Sequence, residues 1–218
     1  MVAIKRLYYR LKFGKPIIIV SGLPRSGTSM IMQMIEAGGQ QIATDNVRRA
    51  DEDNPRGYYE LERIKNLHKE KDKTWLRKYK GCAVKVISFL LPDLPPKLNY
   101  KIIFIQRSIE EVIISQKKML IHYNERDVSV SDEKMKQNYE LHLLKTRYLL
   151  EHTLNFETLY LGYTAVIESP IKCARSINKF LGNHLNEAAM ISKVEPRLYR
   201  NRSNESERFK QYECDVLC

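Results

Sequence analysis

One short segment restricts the fold of this chain more than any other, the loop at residues 22–29, which reads Gly-Leu-Pro-Arg-Ser-Gly-Thr-Ser. The β-branched run at residues 16–22 before it has the composition of a buried parallel strand. Apolar residues at helical spacing follow over Thr28–Ala37. A glycine-containing loop between a strand and a helix presents backbone N–H groups that bind phosphate. The sequence therefore predicts an α/β fold with a phosphate-binding loop (P-loop).

The rest of the chain alternates strand-like and helical patterns. Further strands are predicted at residues 83–88, 101–106 and 159–163. Helices are predicted at residues 59–79, after the capping pair Ser108 and Glu111, at residues 131–156, and from Ser169 to Gly182. The polar stretch at residues 40–57 is predicted to be a long loop. This alternation predicts a three-layer fold, with a central, mostly parallel sheet flanked by helices.

Length and composition indicate one domain. The chain has 218 residues, 43% of them hydrophobic and 29% charged, which are values of an ordinary globular protein and exclude a disordered chain. No internal repeat divides it. We predict a single domain over residues 1–218, with a basic N-terminal extension at 1–15 and a C-terminal tail at 203–218.

The formal net charge of +11 indicates a surface that attracts anions. Charge alone does not choose among nucleic acid, an acidic membrane and a phosphorylated nucleotide, but the basic residues are spread along the chain without a nucleic-acid reading motif. The apolar run at residues 17–20 is too short for a signal segment or a membrane span. We therefore expect a cytoplasmic protein that binds no nucleic acid. No metal is expected either, because the cysteines lack paired ligand spacing: Cys82, Cys173, Cys214 and Cys218.

The loop departs at one position from that of nucleoside triphosphatases. Thr28 stands where those proteins have the lysine that holds the β- and γ-phosphates. The cation lies three positions earlier, at Arg25. Ser26, Gly27 and Ser29 complete a set of hydroxyl and backbone donors. This arrangement favours a different anion.

The segment at residues 24–29 resembles the 5′-phosphosulfate loop of the sulfotransferases, in which lysine or arginine precedes Ser-Gly-Thr. Arg107, at a strand end, and Ser115, eight residues on in the next helix, resemble the 3′-phosphate site of that family. Residues 163–182 resemble its closing strand, loop and Phe-Leu-Gly helix. The resemblance covers most of the chain. It is nearest to the protein-tyrosine enzymes and, through residues 51–60, to a bacterial branch.

The resemblance implies in-line transfer of a sulfuryl group from 3′-phosphoadenosine 5′-phosphosulfate (PAPS) to a hydroxyl acceptor. Arg25 and the loop donors would stabilise the charge that develops on the departing 5′-phosphate. Arg107 and Ser115 would hold the 3′-phosphate. Lys85 resembles the strand lysine with which the family stabilises the transferring group.

The catalytic base is the least determined part of this interpretation. The cytosolic phenol and steroid enzymes use a histidine where this chain has Ser88 and Phe89. The protein-tyrosine enzymes use a glutamate about twenty residues past the loop, which places Asp45 nearest in register, with Glu60 as the second candidate. The histidines are expected to be structural or solvated and distant from the motifs: His68, His122, His142, His152 and His184.

Two alternatives stay open. A P-loop nucleotide kinase or triphosphatase would share the sheet and the loop, but it needs the missing lysine and a carboxylate for Mg²⁺. A domain that binds PAPS, or its product 3′-phosphoadenosine 5′-phosphate (PAP), without catalysis is the other alternative, because the base is uncertain.

Overall fold

The computed structural model describes residues 2–45, 57–122, 131–195 and 215–217. The strands are β1 (Ile17–Ser21), β2 (Ala83–Lys85), β3 (Tyr100–Gln106), β4 (Phe156–Gly162) and β5 (Asp215–Leu217). They form one sheet in the order β2-β1-β3-β4-β5. The first four strands in this order are parallel, and β5 pairs antiparallel with β4. The predicted α/β class with a mostly parallel sheet is confirmed.

Helices surround this sheet. They are α1 (Val2–Phe13), α2 (Thr28–Ala37), α3 (Glu62–Lys65), α4 (Ile109–His122), α5 (Asp132–His152), α6 (Tyr163–Glu168), α7 (Pro170–Leu181) and α8 (Glu187–Ile191). Short 3₁₀ turns occupy Leu67–Lys69, Thr74–Tyr79 and Ser88–Asp93. Within the described ranges, no helix combines the length and the apolar character needed to cross a membrane.

The sheet is buried on both faces because successive side chains of a strand point to opposite sides. In β1, Ile18 and Val20 pack with α2, α6 and α7 in one apolar cluster. Ile17 and Ile19 pack on the other face with α5 and with the segments that connect β1 to β3. All five residues of β1 are buried. This is the three-layer arrangement that the alternating pattern predicts.

The prediction of one helix over residues 59–79 is wrong. Only α3 is α-helical there, and two 3₁₀ turns follow it. The side chain of Asp72 accepts a hydrogen bond from the backbone N–H of Thr74 at 2.9 Å. Such an Asp turn replaces a helical backbone bond by a local one, and it interrupts the helical pattern.

Several predicted boundaries also shift. The strand predicted at residues 83–88 ends at Lys85, and a 3₁₀ turn begins at Ser88. The helix predicted at residues 131–156 ends at His152, and β4 begins at Phe156 and ends before Tyr163. Ser169 precedes α7 as predicted, but its side chain makes no capping bond. By contrast, α2 has the bounds that its apolar spacing predicts.

The two terminal segments contain structure that the sequence did not predict. Most of the basic extension forms α1. Within the predicted tail, Asp215–Leu217 pairs with β4, while the rest of residues 203–218 lies outside the described residues. Most of the predicted loop, residues 46–56, lies outside them too. Before that gap, Ile42 forms a parallel bridge with Ala83.

Candidate active site

The loop at residues 22–29 turns tightly from β1 into α2, and its glycines are required by contact. Gly27 is the N-cap of α2 with φ of 104°. A Cβ on Gly27 would lie 2.6 Å from Cδ2 of Tyr163, and one on Gly22 would lie 2.5 Å from the carbonyl oxygen of Ile105. Arg25 itself has φ of 68°, an uncommon conformation for a residue with a side chain. The loop is therefore held in one shape by its neighbours.

Polar groups at the start of α2 suit an anion. The first N–H groups of an α-helix have no acceptor within the helix. No acidic residue lies in the first turn of α2. Ser26 is 1% exposed, and the described residues offer its Oγ no hydrogen-bond partner. Leaving a buried hydroxyl unsatisfied costs about 1–3 kcal/mol, and a phosphate oxygen in the loop would satisfy it.

The structure brings the two predicted phosphate sites together. Nε of Arg25 donates a hydrogen bond to Oγ of Ser115 at 3.0 Å, although the two residues are 90 positions apart. Nη1 of Arg107 donates to the carbonyl oxygen of Arg25 at 3.2 Å. The cause is the pairing of β1 with β3, since parallel neighbours end at the same edge of a sheet.

Arg107 is held by two groups that the motifs did not reveal. Its Nε lies 2.8 Å from Oε2 of Glu111, and the two side chains are 8% and 2% exposed. Its guanidinium carbon lies 4.3 Å from the ring centre of Tyr163. Burial raises the pKa of the Tyr163 hydroxyl, and the positive charge of Arg107 opposes that shift. A guanidinium has five N–H donors in one plane, so fixing that plane fixes the direction of them all.

Ser108 and Glu111, the residues of the predicted capping box, lie at the start of α4. The backbone N–H of Glu111 donates to Oγ of Ser108 at 3.5 Å, as the pattern predicts. The carboxylate of Glu111 accepts a hydrogen bond from Nε of Arg107 at 2.8 Å. The signal available in the sequence was the spacing of four residues between Arg107 and Glu111, which places both on one side of the chain.

Lys85 and Glu60 lie together at the other side of the loop. Nζ of Lys85 donates to Oγ of Ser29 at 3.3 Å and lies 3.3 Å from Oε1 of Glu60. It also donates to the carbonyl oxygen of Tyr58 at 2.8 Å. Oε2 of Glu60 lies 3.2 Å from Nζ of Lys65. The structure thus brings two of the predicted transfer residues to the end of the phosphate loop.

Asp45, the other candidate base, has a different setting. Its Oδ2 accepts the backbone N–H of Glu62 at 2.5 Å, at the start of α3. Its own N–H donates to the carbonyl oxygen of Glu60 at 3.3 Å. The carboxylate of Asp45 therefore satisfies a helix N-terminus, while that of Glu60 faces Lys85.

One histidine also approaches the loop, contrary to the prediction. Nε2 of His142 lies 2.8 Å from Oγ of Ser88, whose backbone N–H donates to the carbonyl oxygen of Gly22 at 3.0 Å. The Phe89 ring stacks on the imidazole with centroids 3.8 Å apart. Burial lowers the pKa of His142, and Lys145 adds to that effect. The sequence did not predict this contact, because the packing of α5 on the segment after β2 is not encoded in any local pattern.

The structure shows an α/β protein in which the loop at residues 22–29 lacks the lysine of the triphosphatases and Arg107 lies beside that loop, at the end of the neighbouring strand. The family model of the sulfotransferase domain matches residues 15–213, and the chain belongs to this family. No curated protein matches the chain by sequence.

Solved structures that share the fold include two of retinol dehydratase. Retinol dehydratase in complex with androsterone and inactive cofactor PAP has a TM-score of 0.50 and 15% identity, with 92% of this chain and 70% of that chain covered. Retinol dehydratase in a complex with retinol and PAP has a TM-score of 0.50 and 15% identity, with 100% of this chain and 76% of that chain covered. At this identity, the likeness concerns the fold.

Proposed function

We infer that this protein transfers a sulfuryl group from PAPS to a hydroxyl acceptor. The observation that carries this proposal is that Arg25, Ser115 and Arg107 lie together beside the phosphate loop. PAPS differs from ATP in carrying a 3′-phosphate on the ribose, and these side chains could bind it. A single phosphate loop suits many nucleotides. Two adjoining cationic sites at neighbouring strand ends suit a nucleotide with a 5′-phosphosulfate and a 3′-phosphate. The retinol dehydratase structures, which hold PAP, support the same donor.

In this proposal, the loop at residues 22–29 binds the 5′-phosphosulfate. The N–H groups at the start of α2 and the buried hydroxyl of Ser26 donate to its oxygens, together with Gly27, Thr28 and Ser29. Arg25 supplies positive charge where the departing 5′-phosphate gains negative charge. Donors that are held in place before the reaction stabilise such charge without reorganisation.

Arg107 and Ser115 bind the 3′-phosphate. The ion pair with Glu111 and the contact with Tyr163 hold the guanidinium in one orientation. Its Nε donates to Glu111 and its Nη1 donates to the carbonyl oxygen of Arg25, which fixes the plane of its N–H groups. Donor binding would replace the bond between Arg25 and Ser115 by bonds from both side chains to the nucleotide.

Lys85 and Glu60 carry out the transfer. The acceptor oxygen forms a bond to sulfur while the bond from sulfur to the 5′-phosphate oxygen breaks, and PAP leaves with that electron pair. Glu60 takes the proton of the acceptor hydroxyl, and Lys85 stabilises the sulfuryl oxygens. We place Glu60 ahead of Asp45 as the base because its carboxylate lies beside Lys85 and Ser29, whereas that of Asp45 binds a helix N-terminus.

Donor recognition is tested by titration calorimetry with PAP, and with ATP and Mg²⁺ as the comparison. We expect PAP to bind much more tightly than ATP, and Arg107→Ala to weaken PAP binding by about tenfold to a hundredfold, the value of about one charge-assisted bond. The matched control is Arg147→Ala, since Arg147 also pairs with a glutamate four residues on but lies on α5. Tighter binding of ATP, or unchanged PAP affinity in Arg107→Ala, would contradict the proposal.

The transfer step is tested without knowledge of the acceptor by following release of PAP from PAPS in water. We expect Glu60→Gln to reduce this rate by about a hundredfold or more, as loss of a general base does. Asp45→Asn is the comparison and should change the rate only a few-fold. A large loss in Asp45→Asn alone would give the role of base to Asp45. PAP binding without any turnover, with water or across a panel of hydroxyl acceptors, would instead identify a donor-binding domain without catalysis.

A further inference from the structure

The first helix displays an apolar face to solvent. Ile4, Leu7, Tyr8 and Leu11 of α1 are 74%, 57%, 55% and 78% exposed. Positions separated by three, four and seven residues lie on one side of an α-helix. These four side chains, here called the α1 face, therefore form a continuous apolar stripe.

The opposite side of the same helix is attached to the rest of the fold. The side-chain amide of Asn99 donates to the carbonyl oxygens of Tyr9 and Gly14 at 2.9 Å each. Lys80 donates to the carbonyl oxygen of Phe13 at 2.5 Å, and Arg10 forms an ion pair with Glu157. These bonds fix the C-terminal half of the helix, so its outward direction is set by the fold.

The charged residues in the sequence of α1 and the turn after it have a single sign. Residues 2–15 contain Lys5, Arg6, Arg10, Lys12 and Lys15 and no acidic residue. Nζ of Lys12 donates to the hydroxyl of Tyr8 at 3.2 Å, which places a cation at the border of the stripe. The whole chain carries a net charge of +11. A helix with Leu and aromatic residues on one face and Lys and Arg beside them is typical of a segment that lies in the headgroup region of an anionic membrane.

We propose that the α1 face binds the surface of membranes that contain anionic lipids, with its apolar side chains in the boundary between headgroups and acyl chains. A second copy of this chain is a poorer occupant, because a two-fold interface would place the same cations against each other. The exposed apolar residues of α5 differ in this respect. Leu144 is 68% exposed, but its helix carries both acidic and basic residues.

This attachment leaves the donor site accessible. The helix is anchored at Asn99, next to the first residue of β3, whereas Arg107 follows the last residue of that strand. A strand of seven residues spans about 20 Å. The α1 face and the phosphate loop thus lie towards opposite ends of the sheet, and membrane binding places the loop away from the lipid surface.

The experiment is flotation of the full chain with phosphatidylcholine vesicles and with vesicles in which about a quarter of the lipid is phosphatidylserine, at low salt. We expect binding to the anionic vesicles only, weakened by high salt because screening reduces the attraction of the cations. Leu11→Gln and Leu7→Gln keep the charge and should each weaken binding by about tenfold. The matched control, Leu144→Gln, replaces a similarly exposed leucine outside α1 and should bind as the parent does.

PAP affinity of each variant serves as the check on folding, since the donor site lies far from α1. Equal binding of parent and Leu11→Gln to anionic vesicles would overturn the proposal by reducing it to unspecific attraction of a basic protein. Absence of vesicle binding would overturn it as well. A dimer in sedimentation that Leu11→Gln dissociates, without vesicle binding by the parent, would assign the α1 face to self-association.

Discussion

Replacement of Gly27 by alanine tests whether the phosphate loop is held in shape by contact with Tyr163. The alanine would have to adopt a backbone φ near 104°, which costs about 1–2 kcal/mol in a residue with a side chain. Its Cβ would also meet neighbouring atoms. It would lie 2.6 Å from Cδ2 of Tyr163 and 3.2 Å from Cδ1 of Ile105. Overpacking of this kind costs a further ~1–3 kcal/mol. We therefore expect Gly27→Ala to lower the free energy of unfolding by about 2–5 kcal/mol in sum.

Gly39 provides the matched control, because its φ is nearly the same and an added Cβ there would meet no other atom. Its φ is 99°, and nothing lies within 4 Å of a Cβ built on it. Gly39→Ala should lower the free energy of unfolding only by the cost of the positive φ, about 1–2 kcal/mol. Urea unfolding of both variants gives the difference, and titration with PAP shows whether the displaced Tyr163 disturbs Arg107. Equal losses of stability in the two variants, or unchanged PAP affinity in Gly27→Ala, would show that contact with Tyr163 does not hold the loop in shape.

Two further predictions concern the surroundings of the loop. Glu111→Ala leaves the buried guanidinium of Arg107 without its carboxylate and should lower the free energy of unfolding in urea by about 3–5 kcal/mol. Glu151→Ala removes an exposed carboxylate at the same spacing and should lower it by under about 1 kcal/mol. Similar losses in both variants would contradict a role of burial. Because burial lowers the pKa of His142 below its ordinary 6.5, the unfolded chain binds a proton more readily than the folded one, and stability falls as the pH drops through 6.5 towards the folded value. His142→Gln should flatten the dependence of the unfolding free energy on pH in that window, and an unchanged slope would show that other groups cause it.

The parts of the structure that the sequence predicted are those that depend on local pattern. The bounds of α2 follow from apolar spacing between a glycine loop and a glycine end. The strands β1 and β3 are runs of β-branched and aromatic residues that are buried on both faces, and such runs favour a strand over a helix. Once both strands are parallel neighbours, the closeness of Arg25 and Ser115 follows from topology.

The parts that it did not predict depend on tertiary contact. The capping pattern at Ser108 identified the start of α4 but not the partner of Glu111, because the choice of Arg107 is made by shared burial. His142 approaches Ser88 through the packing of α5, which no periodicity specifies. Residues 59–79 have enough helix-forming side chains to suggest one helix, but α3 ends at Lys65, and the Asp turn at Asp72 separates the two 3₁₀ turns that follow.

The contact of Tyr163 with the phosphate loop also affects how the protein folds. Tyr163 follows β4, so the loop after β1 gains its support only when a strand more than a hundred residues later has joined the sheet. Contacts of such sequence separation form slowly, because the chain must lose loop entropy before they are made. The loop is therefore fully supported only after β4 has joined the sheet. A nucleotide that binds beside this loop would increase the free energy of unfolding of complete chains by mass action. It would not stabilise nascent or truncated chains that lack β4.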